Sequence, residues 1–332
     1  MTKRQRIHAI ISGKPADRCG FWLGHPHADS WPGLLRAFNA ANPNELFQKA
    51  GNEFAHISPF WFPDFYEGWP FPCAKASDCA PGPLAACETA EDVARCYPWP
   101  DASKCRFDKC LETLRQTGDV YRASGVWAHF FHILIDLFGL EDYFVKMHTA
   151  PEAVQEATDR VCQFMHDANE TFFKLAGDLV DGSFIGNDLG SQQTLMCGPD
   201  AMERFVMPWF ARFAEQARRH NKHFLLHSCG AVRDLIPRFI EIGVQCLHPL
   251  QALAHGMDAQ TLARDFKGRI AFMGGVDTQE LLIRGTPDAI RREVRRLKEI
   301  LGPRLIISPS HECILPDIPP ANIVAMAEAA AE

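Results

Sequence analysis

A chain of 332 residues, 47% hydrophobic and 23% charged, can bury a large core, and its length fits two average domains or one α/β barrel. The net charge of −7, from 34 basic and 41 acidic side chains with no long basic run, argues against a nucleic-acid partner. No apolar stretch approaches ~20 residues, and the basic opening Met1-Thr-Lys-Arg-Gln-Arg-Ile-His8 lacks an apolar signal core, so the expectation is a cytoplasmic protein with no membrane partner.

Taken in chain order, strands are expected near residues 21–24 and 54–58. The stretch 73–118, rich in Cys, Pro and Ala, resembles an insertion packed outside the main fold. Six of the twelve cysteines fall in it (Cys73, Cys79, Cys87, Cys96, Cys105 and Cys110), none spaced as C-x-x-C, and they read as reduced thiols packing as small apolar groups. From about residue 120, short apolar runs alternate with helical periodicity. The runs 125–134, 182–185, 223–226, 245–247, 270–273 and 305–308 read as strands.

Between them lie helices with legible ends. Residues 151–176 carry Val154, Ala157, Val161, Phe164 and Phe172 on one stripe. Asp200-Ala-Met-Glu203 looks like a capping box, with Pro208 a potential kink beyond it. Asp277-Thr-Gln-Glu280 has the same look. Thr286-Pro287 opens a further helix, which Gly302-Pro303 closes. About eight strands alternating with helices favour a single (β/α)8 barrel over residues 1–332, with an N-terminal extension and an insertion around 60–120. No G-x-G-x-x-G follows a strand, so dinucleotide binding has no support.

A barrel does its chemistry where strands end. The polar residues just past the expected strands are His25 and His27, His129 and His132, Asn187 and Asp188, His227 and Cys229, His248 and Gln251, Asp277, and His311, Glu312 and Cys313. His227 and Cys229 are two apart, so an extended backbone turns both to one face, and Gly230 lets the chain turn away. Alone, they could be a core histidine and a buried thiol. The second cluster, His311-Glu-Cys313, follows another apolar run and suggests one zinc site built from both segments. Asp277 reads equally as a helix cap or a site group, whereas Asn187 and Asp188 have no capping explanation and are candidates for substrate contact.

The stretches Phe224-Leu-Leu-His-Ser-Cys-Gly230, Met273-Gly-Gly-Val-Asp-Thr-Gln279 and Ser308-Pro-Ser-His-Glu-Cys-Ile-Leu-Pro-Asp-Ile-Pro-Pro-Ala-Asn-Ile323 resemble the uroporphyrinogen decarboxylase superfamily. Phe21-Trp-Leu-Gly-His-Pro26 and Asn187-Asp-Leu-Gly-Ser-Gln192 are also similar. The H-x-C pair resembles the superfamily's corrinoid-dependent methyltransferase branch. This resemblance implies a barrel with zinc at its mouth and methyl transfer between a small methylated substrate or thiol and a corrinoid (cobalamin). No D-x-H-x-x-G is present, so a separate corrinoid protein is the expected partner.

The expected zinc ligands are His227, Cys229 and Cys313, with Glu312 or His311 replacing Cys313 or adding a fourth contact. Two thiolates would favour a substrate thiol as nucleophile; a Glu312 or His311 ligand would favour demethylation of an ether or amine. His129 or His311 is the expected general acid, and Asp188 a further catalytic candidate. Asn187, His25, Trp127, His248, Gln251 and Asp277 are the candidate substrate contacts, with Trp31, Trp61 and Trp69 as further aromatic candidates. Two rival readings remain. One is a decarboxylase-type lyase acting on a polycarboxylate tetrapyrrole, which the lack of any Arg between Arg18 and Arg36 disfavours. The other is a non-catalytic barrel binding a corrinoid or tetrapyrrole.

Overall fold

The computed structural model describes residues 1–73 and 80–332, so Cys79 lies outside the described residues. Among the described residues are ten short strands: β1 Gly20–Phe21, β2 His25–Pro26, β3 Phe54–Ile57, β4 Tyr121–Ser124, β5 Gly182–Gly186, β6 His223–His227, β7 Cys246–His248, β8 Ala271–Val276, β9 Leu305–Pro309 and β10 Cys313–Ile314. Eight of them form one parallel sheet in the order β1-β9-β8-β7-β6-β5-β4-β3, while β2 and β10 pair separately. With helices outside, this is a nearly closed (β/α)8 barrel.

The seam between β1 and β3 is bridged by a mixture of backbone and side chain. The Glu53 backbone N–H donates to the Phe21 carbonyl, and the Leu23 N–H donates to Asn52 Oδ1 at 2.9 Å. Glu53 is fully buried and pairs with Arg6 and Arg18, which supply the cations its burial requires.

Inward-facing residues fill the barrel with Trp22, Phe54, Tyr121, Phe184, Leu225, Met273 and Ile306. The expected N-terminal extension is the helix Lys3–Ile11, opened by a Thr2/Gln5 capping box. Its Ile7, Ile10 and Ile11 join that interior cluster, and its neighbour Ser12 bonds His223 at the start of β6. It therefore plugs the end opposite the mouth. Residues 58–120 connect β3 to β4. Within them the helix Ala90–Cys96 packs on the long helix Pro151–Ala176, and the helix Asp108–Gln116 packs on β3. Among the described residues no helix is long and apolar enough to cross a membrane.

Three local expectations need correction. The strand expected over 125–134 is instead β4, ending at Ser124. Gly125 then turns the chain at φ +110, and the helix Phe130–Phe138 follows. That apolar run is a buried helix, which periodicity cannot separate from a buried strand. Asp200 is not the cap of its helix: Gly198 holds that position and Asp200 lies in the first turn. The same helix widens into a π turn over Met202–Val206, just before Pro208, whose missing N–H and ring obstruct a regular turn. The strand expected at 21–24 is split into β1 and β2 by Gly24 (φ +93), where a Cβ would press on the Glu312 carbonyl. By contrast, Thr286 caps the helix Pro287–Leu301 through the Ala289 N–H as expected.

Candidate metal centre

His227 ends β6 and His248 ends β7, and the two pair in register, so their side chains rise from the same layer of the barrel mouth. Their Nδ1 atoms face each other at 3.0 Å. On the other side of the His227 ring, Nε2 lies 3.2 Å from Asp188 Oδ1 and 3.4 Å from Cys229 Sγ. Asp188 follows β5 and accepts the Cys229 backbone N–H at 3.1 Å. Gly230, at φ +89, then passes so close to Gly190 that a side chain at Gly230 would overlap the Gly190 carbonyl. That close approach locks the β5 and β6 loops together. Glu312 enters from the β9–β10 connection, with Oε2 at 3.7 Å from His227 Nδ1.

The charges in this cluster are strongly coupled. Burial opposes protonation of His227, yet Glu312, Asp188 and Cys229 outweigh it and raise the imidazole well above its ordinary value. Burial holds His248 well below the ordinary histidine value, with His227 and His311 adding to the effect. Burial would raise Asp188, but His132, His227 and the Cys229 amide hold it well below the usual carboxylate range. Burial also raises the Cys229 thiol, which His227 partly offsets.

Two groups of donors could hold a metal ion among the described residues: Asp188, His227 and Cys229, and His227, His248 and Glu312. The first carries N, O and S donors of the kinds zinc takes, all within 4.8 Å of one another. Zinc bonds of about 2.0–2.3 Å in a tetrahedron put neighbouring N, O and S ligand atoms about 3.3–3.6 Å apart. The observed 3.2 Å and 3.4 Å lie close to that. The second group contains two buried atoms that make no hydrogen bond, His248 Nε2 and Glu312 Oε2. A neutral imidazole has one lone pair to offer, so an ion on His227 Nε2 and one on Nδ1 are alternatives.

A family model for uroporphyrinogen decarboxylase (URO-D) matches residues 89–332. The chain belongs to the uroporphyrinogen decarboxylase family. Among solved structures, a methyltransferase from Methanosarcina mazei superposes with a TM-score of 0.71 at 18% identity, covering 100% of this chain and 98% of that one, a likeness of fold. A Listeria monocytogenes protein described as a vitamin-B12-independent methionine synthase aligns at a TM-score of 0.45 and 9% identity, over 95% and 96% of the two chains, and carries no argument. No curated protein matches in sequence.

On this URO-D barrel the remaining expected residues take varied places. The Cys313 sulfur belongs to neither donor group; β10 sets Cys313 beside His25 instead. His311 stands at the mouth, its Nδ1 accepting the Cys313 N–H at 3.1 Å, which leaves its proton on Nε2. His129 is set apart from the cluster, packed on Phe60 and Trp69, with Nδ1 against the Trp127 carbonyl at 2.8 Å. Burial lowers it to about 4. Asn187 uses its amide to hold the turn before the helix Phe130–Phe138, donating to the Ala128 carbonyl and accepting the Phe131 N–H. Gln251 accepts the Gly230 N–H at 2.9 Å and so braces the same loop as Asp188. Asp277 accepts the N–H groups of Gln279, Glu280 and Leu281, tying down the turn into the short helix Leu281–Arg284, whose N-cap is Glu280, so the expected capping box is not formed.

Trp127 lies between His227 and His56 (ring centroids 5.4 and 5.0 Å), seated where Gly186 leaves room for its indole. Trp61 covers His56, whereas Trp31 packs on Phe47 and Trp69 on Phe60. His56 is the site residue missed in the sequence: it occupies an inward position of β3, two residues after the core Phe54. That period-two register was the available signal.

Proposed function

We propose that this chain is a zinc-dependent methyltransferase that moves a methyl group between a small methylated substrate and a corrinoid carried by a separate protein. The observation that carries the reading is the convergence of His227 Nε2, Cys229 Sγ and Asp188 Oδ1 at the barrel mouth. Membership of the URO-D family and a backbone shared with a methyltransferase support the reaction class. The reading takes residues 1–332 as one catalytic domain acting in the cytoplasm.

His227, Cys229 and Asp188 would hold the zinc. Bound there, zinc would supply Lewis-acid stabilisation of the anion left on the substrate when the methyl group departs. A carboxylate in place of a second thiolate makes the donor set harder, which favours an oxygen or nitrogen leaving group over a thiol. His311 presents its Nε2–H at the mouth and protonates that leaving atom. His248 fixes the His227 ring through their paired Nδ1 atoms, and Gln251 keeps the Gly230 turn in register. Trp127 shields the reacting end from water and lays a flat apolar wall along it.

The test supplies zinc-loaded protein with chemically reduced free cobalamin and a panel of methyl ethers, methylamines and methyl thioethers. Conversion of the reduced-cobalt spectrum to that of methylcobalamin, abolished in Cys229→Ala, supports the reading. No cobalt–carbon bond formation with any donor, in protein that holds zinc, overturns it.

A further inference from the structure

Two further histidines sit beside this centre. His25 on β2 and His56 on β3 lie side by side, ring centroids 5.8 Å apart. Trp22 packs against His25, and Phe184 against His56 at 4.6 Å. Trp61, 49% exposed, covers both at 5.6 and 4.5 Å, and Trp127 closes the side towards His227. Each imidazole keeps its Nε2 buried with no hydrogen-bond partner. A cavity along the outer side of β3, lined also by Asn44, Gln48 and Thr113, reaches both rings and Trp22 from the side away from Trp61 and Trp127.

A buried polar atom left unpaired costs about 1–3 kcal/mol, so two neighbouring ones in an aromatic enclosure call for an explanation. A bound group that completes their hydrogen bonds supplies it. The enclosure also restricts that group. Its walls are indole, phenyl and imidazole faces, which favour a flat ring. The two nitrogens offer hydrogen bonds without a guanidinium or ammonium beside them, which matches a single oxygen and not a polycarboxylate.

We propose that His25 and His56 form the subsite for the non-reacting end of the substrate, a flat ring carrying a hydroxyl or carbonyl oxygen, with Trp127 spanning the distance to His227. This rests on the methyltransferase reading for the word substrate, but the subsite itself does not depend on zinc. The rings on either side of Trp127 place the oxygen-binding end and the metal-binding end one indole apart.

Phenol and toluene are the probes, differing only in the oxygen-bearing group. Protein labelled with 15N-histidine is titrated with each and followed by long-range histidine spectra, alongside a His25→Phe/His56→Phe variant and a measurement of bound zinc. The expected result is that phenol shifts the Nε2 resonances of His25 and His56 and toluene does not. The double variant should lose phenol affinity about tenfold or more while keeping toluene affinity and zinc. Phenol that leaves both Nε2 resonances unmoved in the wild type overturns the subsite, whatever the variant's folding. So does equal phenol affinity in wild type and variant. Protein that holds no zinc yet shows the phenol response would sink the methyltransferase reading and leave the subsite standing.

Discussion

The Nδ1 atoms of His227 and His248 face each other at 3.0 Å, a hydrogen-bond separation at which one ring must donate and the other accept. When His227 Nε2 serves as a metal ligand, its proton must sit on Nδ1, which makes His248 the acceptor. His248 thus orients the ligand by one hydrogen bond, as groups behind metal-bound histidines do.

Removing that bond should loosen the metal without removing a ligand. His248→Phe is expected to weaken zinc affinity by about 10–100-fold. Competition with a chromogenic chelator measures this. Affinity equal to wild type would assign His248 no orienting role.

The donor groups separate the candidate third ligands. Asp188→Ala should lose zinc, whereas Cys313→Ala, whose sulfur lies in neither group, should retain it. Elemental analysis after dialysis against a weak chelator reads both. The opposite pattern would return the third position to Cys313.

Gly186 makes room for Trp127, and a Cβ there would overlap the indole. Gly186→Val should cost about 1–3 kcal/mol in urea unfolding through overpacking and reduce the quenching of Trp127 by its histidine neighbours. Unchanged stability together with unchanged fluorescence would contradict this packing.

The far end of the barrel sets an acid limit on stability. His223 is held to about 3 by burial and by nearby His8 and Lys14, while its Nδ1 faces the Tyr121 hydroxyl and its Nε2 faces Ser12. Its folded value lies below the unfolded one, so its contribution is present above about pH 6.5 and is lost as pH falls from there towards 3. At pH 5 that amounts to about 2 kcal/mol. Other buried histidines add to the slope, so the test is a difference. Chemical denaturation of His223→Gln between pH 7.5 and 5 should show a flatter loss than wild type. Identical slopes would mean that His223 is not held neutral by the fold.

The barrel was legible because seven of its eight strands carry compact apolar runs punctuated by glycine and helix caps, and the helix Pro151–Ala176 has the boundaries expected of it. The run after Gly125 misled because its apolar character is continuous, so a buried helix and a buried strand look alike. The spacing of His227 and Cys229 put both side chains on one face, but only the second cluster and the family resemblance singled them out as a candidate metal pair. Asp188 was recognised as a site residue, yet its place beside those two depends on Gly190 and Gly230 bringing the β5 and β6 loops together. Cys313 was preferred on zinc's liking for thiolates. Which of two adjacent side chains faces the mouth is set by the β2–β10 pairing and by the close pass of Gly24, long-range features that local spacing does not encode.

Bound zinc in purified wild-type protein and in Cys229→Ala is the most direct check on the account. It predicts about one tightly held zinc per wild-type chain after reconstitution and none in the variant, with both proteins folded by circular dichroism. A folded wild-type protein that takes up no zinc, or a Cys229→Ala protein that binds it as tightly, would contradict the account.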